Sequence, residues 1–139
     1  MQFDELAKRV AVSKERIREW IRQDIVRPSS PSQGSGNHSI YDDASLVAIA
    51  VAQELSELAV VVGKYKAAFA GLHTLLRAKS SLEWPQLLLR LTPSKAELFD
   101  KAEVEFSEET VIQIDLERVC VGLMLSEPQQ TLNFGIRSV

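Results

Sequence analysis

Apolar residues recur at alternating spacings of three and four residues, without interruption, from Ala48 to Leu76. Four heptads of this pattern are typical of a helix packed along its length against another helix. The pattern therefore predicts one long helix within residues 44–79. The apolar positions that follow Ala48 are Val51, Leu55, Leu58, Val62, Tyr65, Phe69, Leu72 and Leu76.

Two arrangements would bury this apolar stripe. The helix could pack in a bundle within one chain, or it could pair with its counterpart in a homodimer. A chain of 139 residues offers few other helices long enough to cover the stripe, which favours the dimer. The eight positions from Val51 to Leu76 are then the predicted dimerisation residues, since soluble monomers rarely expose so large an apolar patch.

The first 43 residues have a different pattern, which predicts two short helices joined by a tight turn. Leu6 and Val10 are four residues apart and indicate the first helix. Ser13 is a favoured N-cap residue for a second helix over residues 14–23. The apolar face of this second helix consists of Ile17, Trp20 and Ile21.

The segment after the second helix predicts a two-stranded wing. Residues 25–28 are extended, because the residue before a proline is pushed out of the helical region. Residues 29–38 contain no large apolar side chain, and Ile40 and Tyr41 supply the second extended piece. The wing would therefore have a polar tip and a short paired base.

Positive charge is concentrated at the N-terminal end of a chain whose net charge is −3. Residues 1–41 carry seven Lys or Arg against five Asp or Glu, whereas the remainder carries nine against fourteen. Lys14, Arg18 and Arg22 recur every four residues and form a basic stripe on the second helix. Such a stripe is either a solvated helix face with ion pairs or a contact surface for phosphate.

The order of these elements resembles the mercury-resistance-regulator (MerR) family of winged helix-turn-helix DNA-binding proteins. The similarity covers about Phe3 to Leu55. In place of the family's Gly-aromatic-Arg in the wing, this chain has Asn37-His38-Ser39. The matching motifs are Phe3-Asp4-Glu5-Leu6-Ala7-Lys8, Val12-Ser13 with Ile17-Arg18-Glu19-Trp20, and Ile40-Tyr41-Asp42-Asp43 with Leu46.

The resemblance implies which residues meet DNA. Ser13, Lys14 and Arg16 would lie at the start of the recognition helix in the major groove, and Arg18 would contact the DNA backbone. Guanidinium groups suit phosphates and the acceptor edge of guanine. The full set of predicted DNA-binding residues is Ser13, Lys14, Arg16, Arg18, Arg22, Arg27, His38 and Tyr41.

Residues 80–139 predict a small α+β appendage. Residues 81–90 and 92–101 have the features of short helices, with a proline in the first turn of each. Alternation of apolar and polar residues predicts strands around Val104 and Phe106 and from Ile112 to Leu116. Residues 131–139 could form a last strand. The spacing from Leu116 to Met124 is helical, so the structure of that stretch is left open.

Several classes of protein do not fit the sequence. The single Cys120 cannot form a disulfide within the chain, and no metal-binding cysteines follow the predicted long helix. We expect no signal peptide and no membrane span, because apolar runs are short of the roughly 20 residues needed. No nucleophile, glycine-rich phosphate loop or paired carboxylate indicates an enzyme, and no cofactor is predicted.

The predicted fold is mainly α with small β. It consists of a winged helix-turn-helix over residues 1–43, a long dimerisation helix over 44–79 and an α+β appendage of unknown role over 80–139. The leading hypothesis is a cytoplasmic, nucleoid-associated, sequence-specific transcriptional regulator that binds double-stranded DNA as a homodimer. A small-molecule or protein effector would act at the C-terminal region. The alternatives are a DNA-architecture protein of the phage excisionase or terminase type, and a protein-interaction adaptor that has lost DNA binding.

Overall fold

The computed structural model describes residues 1–31, 39–103 and 111–123. Five α-helices, a three-stranded antiparallel sheet and three short 3-10 helices (Val62–Tyr65, Trp84–Gln86 and Lys101–Glu103) make up the regular structure of these residues. The helices are α1 (Phe3–Lys8), α2 (Lys14–Arg22), α3 (Asp43–Glu57), α4 (Lys66–Arg77) and α5 (Leu116–Leu123), and the strands are β1 (Leu87–Thr92), β2 (Lys95–Asp100) and β3 (Ile112–Asp115).

The two predicted N-terminal helices are present as α1 and α2. The Ser13 hydroxyl accepts a hydrogen bond from the Arg16 amide at 3.3 Å, as an N-cap residue does. Ile17 and Trp20 are buried and share the core with Leu6 of α1. The sequence pattern therefore predicted both helices, although α1 ends before Val10, and Val10 and Ile21 are only partly buried.

The base of the predicted wing consists of one isolated bridge between Ser30 and Ile40. The Ile40 amide donates to the Ser30 carbonyl at 2.8 Å, and the Ser29 amide donates to the Ile40 carbonyl at 2.8 Å. Residues 32–38, which include His38 and the predicted wing tip, lie outside the described residues.

The prediction of one continuous helix to Leu76 is wrong, because α3 ends at Glu57 and α4 begins at Lys66. The Val60 amide donates to the Leu55 carbonyl at 2.9 Å, and the Ala59 amide donates to the Ser56 carbonyl at 3.0 Å. Ala59 has a φ of 63°. These features form a Schellman motif, which ends a helix and usually has glycine where this chain has alanine.

The predicted dimer seam is part of the chain's own core. Six of its residues are buried: Val51, Leu55, Val62, Phe69, Leu72 and Leu76. Tyr65 is half-buried, whereas Leu58 is 67% exposed. Helix α4 packs on β2, and α3 packs on α5, so elements of the same chain cover the positions assigned to a partner.

The predictions of helices over residues 81–90 and 92–101 are wrong. Strands β1 and β2 form a hairpin around Pro93-Ser94, and β3 pairs with the other edge of β1, giving the order β2-β1-β3. Leu87, Leu89 and Leu91 are buried while the residues between them are half-buried, so β1 buries alternate positions. A short apolar run is compatible with either a helix or a buried strand, which explains the error.

The stretch that the sequence left open contains both structures in succession. Ile112–Asp115 is strand β3, and Leu116–Leu123 is helix α5. The strands predicted around Val104 and over residues 131–139 fall outside the described residues. The mainly α fold with a small sheet is present in the described part of the chain, where no helix is long and apolar enough to cross a membrane.

One hydrophobic cluster contains buried residues from all three predicted segments. It extends from Leu6 of α1 through α3 and α4 to Leu123 of α5. The indole N–H of Trp84, in a short 3-10 helix (Trp84–Gln86), donates to the Leu76 carbonyl at 3.1 Å and so satisfies an acceptor at the end of α4.

Two leucines from the predicted seam provide a test of this packing. We expect Leu72→Ala to lower the free energy of unfolding by about 2–5 kcal/mol, because Leu72 is fully buried. Leu58→Ala removes the same atoms from an exposed site, so it should change stability by about 0.5 kcal/mol or less. Denaturant unfolding measures both values, and equal costs for the two variants would contradict the packing described here.

Candidate nucleic-acid interface

Helix α2 presents four exposed cations on two of its sides. Lys14, Arg18 and Arg22 form the basic stripe, because residues four apart lie on one side of a helix. Arg16 lies on a different side. Glu15 and Glu19 form a second row four residues apart, so acidic and basic rows run next to each other along the helix.

Three of the predicted DNA-binding cations are neutralised within the chain. Lys14 Nζ lies 3.6 Å from Asp4 Oδ1, and Arg22 Nη2 lies 3.0 Å from Glu19 Oε1. Arg27, after α2, has its Nη2 at 2.8 Å from Asp24 Oδ2. Exposed ion pairs of this kind contribute about 0–1 kcal/mol each, so a phosphate can replace the carboxylate at small cost. The six residues involved are Lys14, Asp4, Arg22, Glu19, Arg27 and Asp24.

Arg16 is held by neutral groups of α3. Its Nη1 donates to Gln53 Oε1 and to Ser56 Oγ, each at 3.2 Å, and its guanidinium carbon lies 5.9 Å from the Trp20 ring centroid. These neutral contacts leave the positive charge uncompensated, since none of the ion pairs among the described residues involves Arg16. They also direct the side chain toward the end of α3, so a base contact by Arg16 requires that these two hydrogen bonds break.

Arg18 has an aromatic partner in place of an acidic one. Its guanidinium carbon lies over the ring of Phe3 in α1, 4.9 Å from the ring centroid. Within residues 1–31, 39–103 and 111–123, no carboxylate forms an ion pair with Arg18. A cation over an aromatic face keeps its full charge, and so Arg18 is the member of the basic stripe best prepared for a phosphate.

Of the remaining predicted contact residues, Ser13 and Tyr41 have structural roles, and His38 lies outside the described residues. Ser13 is the N-cap of α2, and its hydroxyl can still donate to an acceptor. Tyr41 is buried, so its ring belongs to the core and not to the surface. Its amide donates to the Met1 carbonyl at 2.6 Å. Burial raises the pKa of Tyr41, and a hydrogen bond with Ser39 opposes that rise.

A partly buried polar cluster that the sequence pattern did not reveal lies at the base of the predicted wing, and its two fully buried members are Ser45 and His73. We call it the wing-base junction, and it consists of Arg27, Asp42, Ser45, His73 and Arg77. Arg77 donates to Asp42 through Nε and Nη2, each at 3.0 Å, in a two-point contact. Arg77 Nη2 and Ser45 Oγ also donate to the Arg27 carbonyl, each at 2.9 Å. The junction therefore joins α3 and α4 to the first extended piece of the predicted wing, which follows α2.

His73 completes the junction as a neutral ring. Its Nε2 accepts from the Arg27 amide at 3.1 Å, and its Nδ1 lies 2.7 Å from the Phe69 carbonyl. A carbonyl can only accept, so the proton is on Nδ1. The one available sequence signal was a histidine four residues from Phe69 on an otherwise apolar helix face.

Burial and the neighbouring Arg77 determine the protonation of the two titratable groups of the wing-base junction, His73 and Asp42. Burial lowers the pKa of His73 to about 4, against an opposing hydrogen bond to Phe69, and the positive charges of Arg77 and Arg27 add to the decrease. Burial alone would raise the pKa of Asp42. The hydrogen bonds and charge of Arg77, together with Ser45, outweigh that effect and hold the pKa of Asp42 below its usual value. The junction therefore contains a carboxylate and an uncharged imidazole at neutral pH.

Acidification should destabilise the protein through His73. The unfolded chain binds a proton at His73 near pH 6.5, whereas the folded chain does so only near pH 4. Stability is therefore lost as the pH falls through this window, by about 2 kcal/mol between pH 7 and pH 5. Denaturant unfolding at the two pH values measures the loss. His73→Gln should flatten this dependence, while His38→Gln, which removes the other histidine, is the matched control; an unchanged dependence in His73→Gln would refute the assignment.

Comparison with known families identifies the N-terminal part of the chain. Residues 1–61 match the model of a family described as MerR HTH family regulatory protein. The match includes α1, α2, the wing segment and α3, and it ends in the corner between α3 and α4. No curated protein is similar enough to the chain to match it. The resemblance inferred from the sequence is thus confirmed for this segment, and α4, the sheet and α5 lie beyond it.

Proposed function

We propose that this protein is a transcriptional regulator that binds double-stranded DNA in a sequence-specific manner through α2. The MerR-type helix-turn-helix of residues 1–61 supports DNA binding and regulation as the general function. The main support for the proposal is the environment of Arg18. This exposed cation of α2 lies over the ring of Phe3 and has no ion pair within the described residues. A phosphate oxygen would satisfy this charge without displacing a carboxylate.

The geometry suggests how α2 meets a duplex. The basic stripe of Lys14, Arg18 and Arg22 would follow the phosphates along one edge of the major groove, while the N-terminal residues of α2 face the bases. Arg16 and the hydroxyl of Ser13 are the groups nearest the start of the helix. Glu15 and Glu19, in the neighbouring row, would repel phosphates and so restrict how α2 can lie in the groove.

The rest of the chain would act as the regulatory part. Helix α4 reaches the wing segment through His73 and Arg77, so a change in the position of α4 alters the base of the wing. We place an effector contact in the region after residue 61, which the MerR match does not cover. Such a protein would act in the cytoplasm on chromosomal DNA.

The main experiment selects bound sequences from a random duplex pool and then measures affinity for an enriched duplex by fluorescence anisotropy. We expect Arg18→Ala to weaken binding by about 1–3 kcal/mol and to reduce the slope of log affinity against log salt by about one. Lys95→Ala makes the same change of charge on β2 and should leave binding unchanged. Failure to enrich any sequence, or equal effects of the two variants, would remove the assignment of α2.

The proposal includes the binding of two copies to one site. A single module with few uncompensated cations binds DNA weakly. When two copies are held together, binding of the first raises the effective concentration of the second at the DNA, and the overall affinity increases. The contact would use surface residues, because six of the eight predicted seam residues lie in the core, whereas Leu58 of that seam and the nearby Val61 are 67% and 60% exposed. Sedimentation of the protein with an enriched duplex should give two chains per duplex; one chain per duplex at saturation would contradict this part of the proposal.

A further inference from the structure

The first turn of α1 contacts two of the three cations in the basic stripe of α2. Phe3 lies under the guanidinium of Arg18, and Asp4, its neighbour, lies 3.6 Å from Lys14 Nζ. These two contacts differ in their electrostatic effect. The aromatic ring leaves the charge of Arg18 in place, whereas the carboxylate cancels that of Lys14.

The contact with Phe3 restricts the Arg18 side chain. Phe3 is half-buried and packs against the hydrophobic core, so its ring has a fixed support. A free arginine side chain loses conformational entropy when it becomes ordered, and this loss opposes binding. An arginine already held over a ring has lost part of this freedom before DNA arrives, while its N–H groups can still donate to a phosphate.

The contact with Asp4 has the opposite consequence for DNA binding. The side chains of Asp4 and Lys14 are 80% and 50% exposed, so the pair contributes little to the stability of the fold. A phosphate that approaches Lys14 must displace the carboxylate, and it is repelled by the same charge. Asp4 therefore reduces the contribution that Lys14 can make to the affinity for DNA.

We propose that the first turn of α1 sets the DNA affinity of α2, with Phe3 as a positioning residue for Arg18 and Asp4 as a competitor of phosphate at Lys14. This inference rests on the proposed function, because it concerns how the same helix engages a duplex. It predicts that substitutions at two adjacent positions change affinity in opposite directions.

The test measures the affinity and salt dependence of duplex binding for variants of the full chain. Phe3→Leu keeps an apolar side chain but removes the ring, and it should weaken binding by about twofold to fivefold. Phe3→Tyr retains an aromatic face and should bind like the wild type. Asp4→Asn should strengthen binding by about twofold and steepen the salt dependence by about one phosphate contact. Thermal unfolding confirms that each variant is folded under the binding conditions.

A double-mutant cycle separates positioning from a general structural effect. If Phe3 acts through Arg18, then Phe3→Leu has no further effect on binding in the Arg18→Ala background, while Asp4→Asn still strengthens it. An equal effect of Phe3→Leu in both backgrounds would overturn the role of Phe3. Unchanged or weakened binding of Asp4→Asn would overturn the role of Asp4.

The same measurements distinguish failure of this inference from failure of the proposed function. If the wild type binds no duplex in a salt-dependent manner, both are overturned. If the wild type binds, and Arg18→Ala weakens binding while Phe3→Leu does not, only the positioning role of Phe3 is overturned.

Discussion

The peptide groups of Arg27 connect the two halves of this protein. The amide donates to His73 of α4, and the carbonyl accepts from Ser45 of α3 and from Arg77 of α4. Because Arg27 follows α2 in the first extended piece of the predicted wing, these three hydrogen bonds determine where the chain leaves the helix-turn-helix. A buried peptide group without such partners would cost about 1–3 kcal/mol, so the arrangement of α3 and α4 and the course of the wing segment depend on each other.

The proposed DNA-binding surface has a small excess of charge that is distributed unevenly. Ion pairs occupy Lys14, Arg22 and Arg27, whereas Arg16 and Arg18 keep their charge over neutral or aromatic groups. A surface of this kind gives weak attraction to nucleic acid in general, because much of its charge is already compensated. Affinity then depends on the exact geometry with which a few cations meet phosphates, which favours specific over nonspecific complexes.

The sequence predicted the helix-turn-helix well, because its signals are local. An N-cap serine and the helical spacing of Ile17 and Trp20 are sufficient to define α2. The break after α3 could not be predicted in this way, because Ala59 adopts the left-handed conformation without the glycine that usually marks it. The apolar spacing also continues through the break, since α3 and α4 bury their residues in the same core.

The other features that sequence reasoning missed depend on contacts between distant residues. The run Leu87 to Leu91 fits a helix or a strand equally well, and the pairing of β1 with both β2 and β3 decides between them. Arg77 meets Asp42 across 35 positions in the chain, and His73 meets Arg27 across 46. Neither separation corresponds to the period of a helix or a strand, so no sequence pattern indicates these contacts. The wing-base junction can therefore be found only in the folded structure.

Helix α3 is buried on most of its surface, since nine of its fifteen residues are buried. It belongs to the matched MerR segment, yet it packs against α4 and α5 from outside that segment. A fragment that ended at residue 61 would therefore leave a large part of this helix uncovered. The helix-turn-helix and the described C-terminal elements share one hydrophobic core, so we expect the buried amides of α3 and of the sheet to exchange hydrogen through the same global unfolding.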